Sequence, residues 1–154
     1  MGNAIHLTLT GRQRDDSGEE IVTKIQTKAE SYEKNGSLYI LYEETEDGTV
    51  TRNTIKFKDS VLELTKRGSI NSHMVFRPGT EQTADYATPY GCIKMAIATR
   101  AVKETSLPGH RKILAEYTLS SNGAPLCECS LTLLASDTVP DNSLSKLLQN
   151  MEIP

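Results

Sequence analysis

Apolar and polar residues alternate along most of the chain with a period of two. In one segment every second residue is apolar: Ile113, Ala115, Tyr117 and Leu119. In the last long segment the apolar face consists of Cys127, Cys129, Leu131 and Leu133. This period is typical of β-strands that bury one face, and it differs from the 3.6-residue period of a helix. The pattern therefore predicts an all-β chain.

Turn signals separate the alternating segments at short intervals. Three of them are Asn or Asp followed by Gly: Asn35-Gly36, Asp47-Gly48 and Asn122-Gly123. A type I′ turn needs positive φ at both central residues, which these pairs adopt at low cost, so we predict three tight hairpins. The whole chain is predicted to hold eight to ten strands. Those before the last one lie at about residues 4–13, 20–34, 37–46, 49–58, 61–66, 70–77, 82–88, 90–105 and 110–120.

So many consecutive antiparallel strands favour a single up-and-down β-barrel, because closure removes the strand edges that an open sheet exposes. A two-sheet sandwich is the alternative architecture. The segment 20–34 is too long to lie flat in a compact sheet, so we expect a bend or bulge near Ala29 to Ser31.

The end of the chain has a different periodicity. After residue 142 the apolar residues follow helical spacing: Leu144, Leu147, Leu148 and Met151. Asn142 or Ser143 can cap such a helix. We therefore predict one domain over residues 1–154, in which 137–154 form a C-terminal tail with a short helix.

Composition narrows the classes of partner. With 17 Lys and Arg against 20 Asp and Glu, the net charge of −3 offers no general attraction to nucleic acid. No apolar run is long enough to span a bilayer, and Met1 to Thr10 lacks the pattern of a secretory leader. Three cysteines, Cys92, Cys127 and Cys129, cannot form a complete disulfide framework. These features predict a cytoplasmic protein that binds neither nucleic acid nor membrane.

Sequence motifs give no cofactor and no metal site. The phosphate-binding, dinucleotide-binding, zinc-protease, hydrolase and calcium-loop motifs are all missing from the sequence. Cys127 and Cys129 point to the same face of a strand, but no second pair of ligands completes a zinc set, so we expect core cysteines. His6, His73 and His110 are far apart in the sequence.

One segment, 67–79, is dense in hydrogen-bonding groups. Its alternation places Met74 and Phe76 on one face, where they could contact an apolar ligand, while Arg67, His73 or Arg77 could hold an anionic head group. In the alternative interpretation, Met74 and Phe76 fill the core and the charged residues are solvated. Tyrosines on the strands, Tyr86 among them, could line a ligand cavity or simply suit a half-buried sheet.

Four blocks of the sequence resemble the YwiB-like family, small bacterial proteins grouped as a domain of unknown function. The blocks lie at residues 37–48, 54–58, 67–79 and 88–91. The resemblance extends from about Ala4 to Leu134 and implies a calycin or lipocalin-like closed β-barrel, with no established activity. The chain has no tryptophan, so the Gly-x-Trp of secreted lipocalins is absent. Where cytosolic fatty-acid binders carry Arg-x-Tyr, this chain has Ala115-Glu116-Tyr117.

Three functions follow as hypotheses. The first is a non-enzymatic cytoplasmic barrel that binds a small, partly apolar ligand in its interior, with Arg67, His73, Met74, Phe76, Arg77 and Tyr86 as candidate contacts. The second is an interaction or oligomerisation module, for example a homodimer, that uses a strand edge or the C-terminal helix. The third is an enzyme acting on a small anionic substrate, which requires an acidic group beside His73 in a cleft.

Overall fold

A computed structural model describes residues 2–121 and 123–137 of the chain. The described residues form ten β-strands and no helix, which confirms the all-β prediction. The predicted C-terminal helix lies outside the described residues. The strands are β1 (Asn3–Arg14), β2 (Glu20–Lys34), β3 (Ser37–Glu46), β4 (Thr49–Lys58), β5 (Val61–Arg67), β6 (Ser72–Phe76), β7 (Glu81–Thr88), β8 (Gly91–Leu107), β9 (His110–Ser121) and β10 (Ala124–Ser136).

All ten strands belong to one antiparallel sheet, in the order β6-β5-β4-β3-β2-β1-β10-β9-β8-β7. Apart from β6 and β7, strands that follow each other in the sequence are neighbours in the sheet, and β1 pairs with β10. An isolated bridge joins the two ends of the sheet: Asn71, just before β6, and Ala87 of β7 exchange two backbone hydrogen bonds of 2.9 Å. The sheet is therefore a nearly closed barrel, as the meander pattern predicts, and the sandwich alternative is wrong.

Two of the three predicted hairpins have the expected backbone. Asn35 and Gly36 have φ of 54° and 79°, and Asp47 and Gly48 have φ of 51° and 78°. Both turns thus have two consecutive positive φ angles, as type I′ requires. Asn122 of the third pair lies outside the described residues.

The bulge expected in β2 is not found. β2 pairs with β1 from Glu20 to Ser31 without a register shift, and it pairs with β3 only from Glu30 onward. The long strand is accommodated because it changes partner along its length. Register shifts occur instead between Thr99 and Ala101 of β8 and between Pro125 and Cys127 of β10.

The middle of the barrel is filled by its own side chains. The fully buried ones include Ile40, Ile55, Leu62, Phe76, Ile97, Ile113 and Leu133. Phe76 and Tyr117 make an edge-to-face contact, with ring centroids 4.7 Å apart. This packed layer separates two ends. We call the end with the turns at 15–19, 47–48 and 89–90 the upper end, and the end with the turns at 35–36, 59–60 and 108–109 the lower end. No helix among the described residues is long and apolar enough to span a bilayer.

Candidate functional site

A cavity of about 440 Å³ opens at the lower end of the barrel. Its walls come from the start of β1, the β2–β3 hairpin, the β8–β9 hairpin and the end of β10. Buried aliphatic side chains form part of its lining: Ile5, Leu38 and Ile40. Polar groups complete the lining: Asn3, Ser31, Tyr32, Glu33, Ser106, His110, Arg111 and Asp137. The volume lies within the range of small-molecule sites, and an apolar floor with a few polar groups is their usual lining.

Arg111 is the main charged group of this cavity. It occupies the same face of β9 as the buried Ile113 and Ala115, so the strand directs it into the barrel. Its Nε donates to the carboxylate of Glu104, and its Nη1 lies 3.4 Å from Oε1 of Glu33. Two carboxylates thus face one guanidinium. A third negative charge at this place would be repelled, so the cavity favours a ligand without an anionic head.

His110 borders the cavity from the first position of β9. Its Nδ1 lies 3.0 Å from the Oγ of Ser136, which is buried. The contact joins the β8–β9 hairpin to the end of β10, and the amide of Asp137 donates to the carbonyl of Gly109 over 3.0 Å beside it. These bonds hold the hairpin in position at the cavity rim.

The upper end contains a different arrangement, which we call the polar row. Its members face the interior and are cross-strand neighbours on five successive strands: Tyr42, Asn53, Lys66, Ser72 and Tyr86. Each lies on the inward face of its strand, because the residue two positions away on the same strand belongs to the core or packs against it. These core residues are Ile40, Ile55, Leu64, Met74 and Ala84. The row is therefore a polar layer stacked on an apolar one.

Lys66 and Glu44 dominate the electrostatics of the polar row. Lys66 Nζ lies 2.8 Å from Oε1 of Glu44 and 2.8 Å from Oδ1 of Asn53. Burial, together with the negative charge of Glu44, raises the pKa of both Tyr42 and Tyr86 above the ordinary value. Both phenols therefore stay neutral at physiological pH. Ser72 Oγ is buried and has no hydrogen-bond partner among the described residues.

The predicted ligand-binding residues do not converge. Phe76 is fully buried in the packed layer and Met74 is half-buried beside it, while Tyr86 belongs to the polar row. Arg67 and Arg77 are exposed. None of these residues lines the lower cavity.

His73 faces outward. Its Nε2 lies 3.0 Å from Oε1 of Glu63, and its side chain is 57% exposed. The pair is within hydrogen-bond reach but lies on the outer wall rather than in a cleft. It therefore lacks the enclosed geometry that the enzyme hypothesis requires.

The sequence did not identify the lower cavity, although a signal for part of it exists. Arg111 and Lys66 are charged residues that the alternation of apolar and polar residues places on the inward face of β9 and β5. Such residues are expensive to bury without partners and so mark places where partners must converge. Their partners Glu33, Glu104 and Glu44 could not be found in the same way, because they come from other strands.

The two strand cysteines face the interior side by side. Their Sγ atoms are 3.2 Å apart, and burial raises the pKa of Cys129 to about 12. Cys129 thus stays protonated at neutral pH. It belongs to the core and Cys127 packs against the core, as predicted for both cysteines. Within residues 2–121 and 123–137, no three His, Cys, Asp or Glu side chains are grouped to hold a metal ion.

The family of the chain is shown by a sequence model. The model described as "Domain of unknown function (DUF1934)" matches residues 7–133. The chain belongs to this family. No curated protein matches the chain. The chain is also similar to the ywiB protein from Bacillus subtilis, whose crystal structure gives a TM-score of 0.79 at 17% identity over 90% of this chain and 94% of that one. The resemblance to the YwiB-like family is therefore confirmed, and the structural likeness supports the barrel fold.

Proposed function

We propose that this protein is a non-enzymatic, cytoplasmic, calycin-like barrel that binds a small, partly apolar ligand in the lower cavity. The observation that supports it is an open volume of about 440 Å³ lined by Ile5, Leu38 and Ile40. Those side chains are nearly or fully buried, yet they border unfilled space at the barrel end. A ligand there would remove apolar surface from water at about 25 cal/mol per Å².

The rim indicates the class of ligand. Ser31, His110 and Asn3 offer hydrogen bonds to a polar head group. Arg111 carries a charge that Glu104 and Glu33 already balance. We therefore infer an apolar body with a neutral, hydrogen-bonding head, such as an alcohol or amide. The carboxylate or phosphate head group considered from the sequence depended on Arg67 and Arg77, which are exposed and not part of this cavity.

Native mass spectrometry of protein purified gently from cell extract tests this proposal. The wild type should carry a bound small molecule, and Ser31→Trp should lose it because the indole fills the cavity. Gln26→Trp is the matched control, since Gln26 is an exposed residue of the same strand. Binding that survives Ser31→Trp, or a wild-type protein that carries nothing and is not stabilised by extract, would contradict the proposal.

A further inference from the structure

Cys127 and Cys129, which we call the thiol pair, bring two nucleophilic sulfur atoms together inside the barrel. Both lie on the inward face of β10, and the exposed Glu128 separates them in the sequence. Their Sγ atoms are 3.2 Å apart. Reacting atoms that are held about 3–3.5 Å apart are positioned for attack. The thiol pair therefore has the geometry for bond formation between its two sulfur atoms, in addition to its packing in the core.

The two sulfur atoms differ in their access to solvent. Cys127 is half-buried, whereas Cys129 is only 7% exposed. Burial also raises the pKa of the Cys129 thiol, so this thiol stays protonated at neutral pH and is a poor first nucleophile. Cys127 is therefore the sulfur that a dissolved oxidant meets first. Cys129 lies beside it, where it can complete a bond to an oxidised Cys127.

We propose that the thiol pair is a reversible oxidation site, at which a peroxide converts Cys127 and Cys129 into an intrachain disulfide. The Cys127 thiolate attacks one peroxide oxygen and the O–O bond breaks. Cys127 becomes a sulfenic acid, and the leaving oxygen takes a proton and departs as water or an alcohol. Sγ of Cys129 then attacks Sγ of Cys127, the S–O bond breaks, and the hydroxyl leaves as water with the Cys129 proton. The two thiols lose two electrons, which the peroxide gains.

The strand geometry makes this disulfide easy to reduce. Residues two positions apart on a strand have Cα atoms about 6.6–6.8 Å apart. This separation is at the upper limit of about 6.8 Å for a disulfide, so the bond is strained. Strained disulfides have higher reduction potentials than structural ones, and small cellular thiols reduce them by exchange. The register of β10 on β9 shifts between Pro125 and Cys127, so the strand is already irregular where the bond forms.

Oxidation at this site adjoins the packed layer of the barrel. Cys129 is the cross-strand partner of Tyr117, and the Tyr117 ring contacts Phe76. The thiol pair is separate from the lower cavity, so its oxidation is a property of the barrel independent of ligand binding there.

Mass spectrometry after treatment with hydrogen peroxide tests the thiol pair in the full-length chain. In a Cys92→Ser background, Cys127 and Cys129 are the remaining cysteines. After unfolding, free thiols are capped with a maleimide. The oxidised chain should be lighter by two hydrogen atoms and should take up no maleimide. Treatment with glutathione before capping should restore two maleimide adducts.

Two matched variants in the same background separate the roles of the sulfur atoms. Cys127→Ser should keep the Cys129 thiol reduced and slow its loss at least tenfold, because Cys129 is buried. Cys129→Ser should instead let Cys127 accumulate as a sulfenic acid, which a 1,3-diketone probe traps. Circular dichroism reports whether each variant is folded, and the background chain tests disulfide formation whether or not Cys129→Ser folds.

Three outcomes would overturn the proposal. The first is a thiol pair that stays reduced at a peroxide concentration that oxidises the exposed Cys92 of the wild type. The second is oxidation of Cys127 and Cys129 to separate sulfinic acids. The third is a disulfide that forms only between chains.

Discussion

At the upper end of the barrel a lysine, a glutamate and an asparagine bond to one another, whereas at the lower end the inward polar side chains surround an open cavity. Lys66 satisfies Glu44 and Asn53 within the polar row. Arg111 is balanced by Glu33 and Glu104 in the same way, but the aliphatic side chains beside it border an open cavity. Inward polarity in a barrel therefore does not by itself mark a ligand site. Unfilled volume next to apolar side chains is the more informative feature.

The packed layer keeps the two ends apart, and removing its largest fully buried side chain gives the largest expected effect. Phe76 is fully buried and contacts Tyr117, so Phe76→Ala should lower the free energy of unfolding by about 3–5 kcal/mol. The exposed neighbour is the control: Arg77→Ala should change it by less than about 0.5 kcal/mol. Urea denaturation measures both. A small loss of unfolding free energy for Phe76→Ala would mean that the layer is loosely packed and does not separate the two ends.

The upper end depends on close backbone packing at one turn. A Cβ at Gly68 would clash with the carbonyl oxygen of Val50, so Gly68→Ala should cost about 1–3 kcal/mol. Gly11→Ala is the matched control, because nothing lies within 4 Å of its Cβ position and its φ is not positive. That substitution should cost less than about 1 kcal/mol. Similar melting temperatures for the two variants would contradict this view of the upper turn.

Alkaline pH should lower the folding stability of the barrel, because buried groups in its interior resist ionisation. Folding raises the pKa of Cys129 to about 12 from an ordinary value of 9.0. Between these values the folded thiol keeps a proton that the unfolded chain has lost, so stability falls as pH rises. The loss at pH 10 should be about 1 kcal/mol from this group, and buried Tyr42 and Tyr117 act in the same direction.

Denaturation at pH 8 and pH 10 measures this dependence. Cys129→Ala should reduce the difference between the two values, whereas Cys92→Ser should leave it unchanged because Cys92 is exposed. Equal pH dependence in the wild type and Cys129→Ala would contradict the assignment.

The smallest expected change in stability comes from Ser72→Ala. It tests whether the polar row binds a ligand or is complete without one. Ser72 Oγ is buried without a described partner, so Ser72→Ala should change stability by less than about 0.5 kcal/mol or increase it slightly. Asn53→Ala, which removes one of the two acceptors of Lys66, should cost about 1–2 kcal/mol. A cost above 1 kcal/mol for Ser72→Ala would show that this hydroxyl has a bound partner at the upper end.

The sequence predicts the barrel well because period-two alternation and Asn-Gly turns are local properties. Asn35-Gly36 and Asp47-Gly48 adopt the turn geometry that their residue types favour. The bulge positions were missed because register depends on the partner strand, as at Thr99 of β8. The same limitation applies to the candidate site. Arg111, Glu104 and Glu33 meet only after three strands close around one end, which no spacing along the chain reveals.

Methyl NMR during titration with a small-molecule extract of cells tests whether a ligand binds in the lower cavity, because isoleucines lie at both ends of the barrel. The Ile5 and Ile40 methyl signals should shift, since both side chains border the lower cavity. Ile93, next to Tyr86 at the upper end, should not shift. Shifts confined to Ile93 and the methyl of Met74, or no shifts at any isoleucine, would contradict ligand binding in the lower cavity.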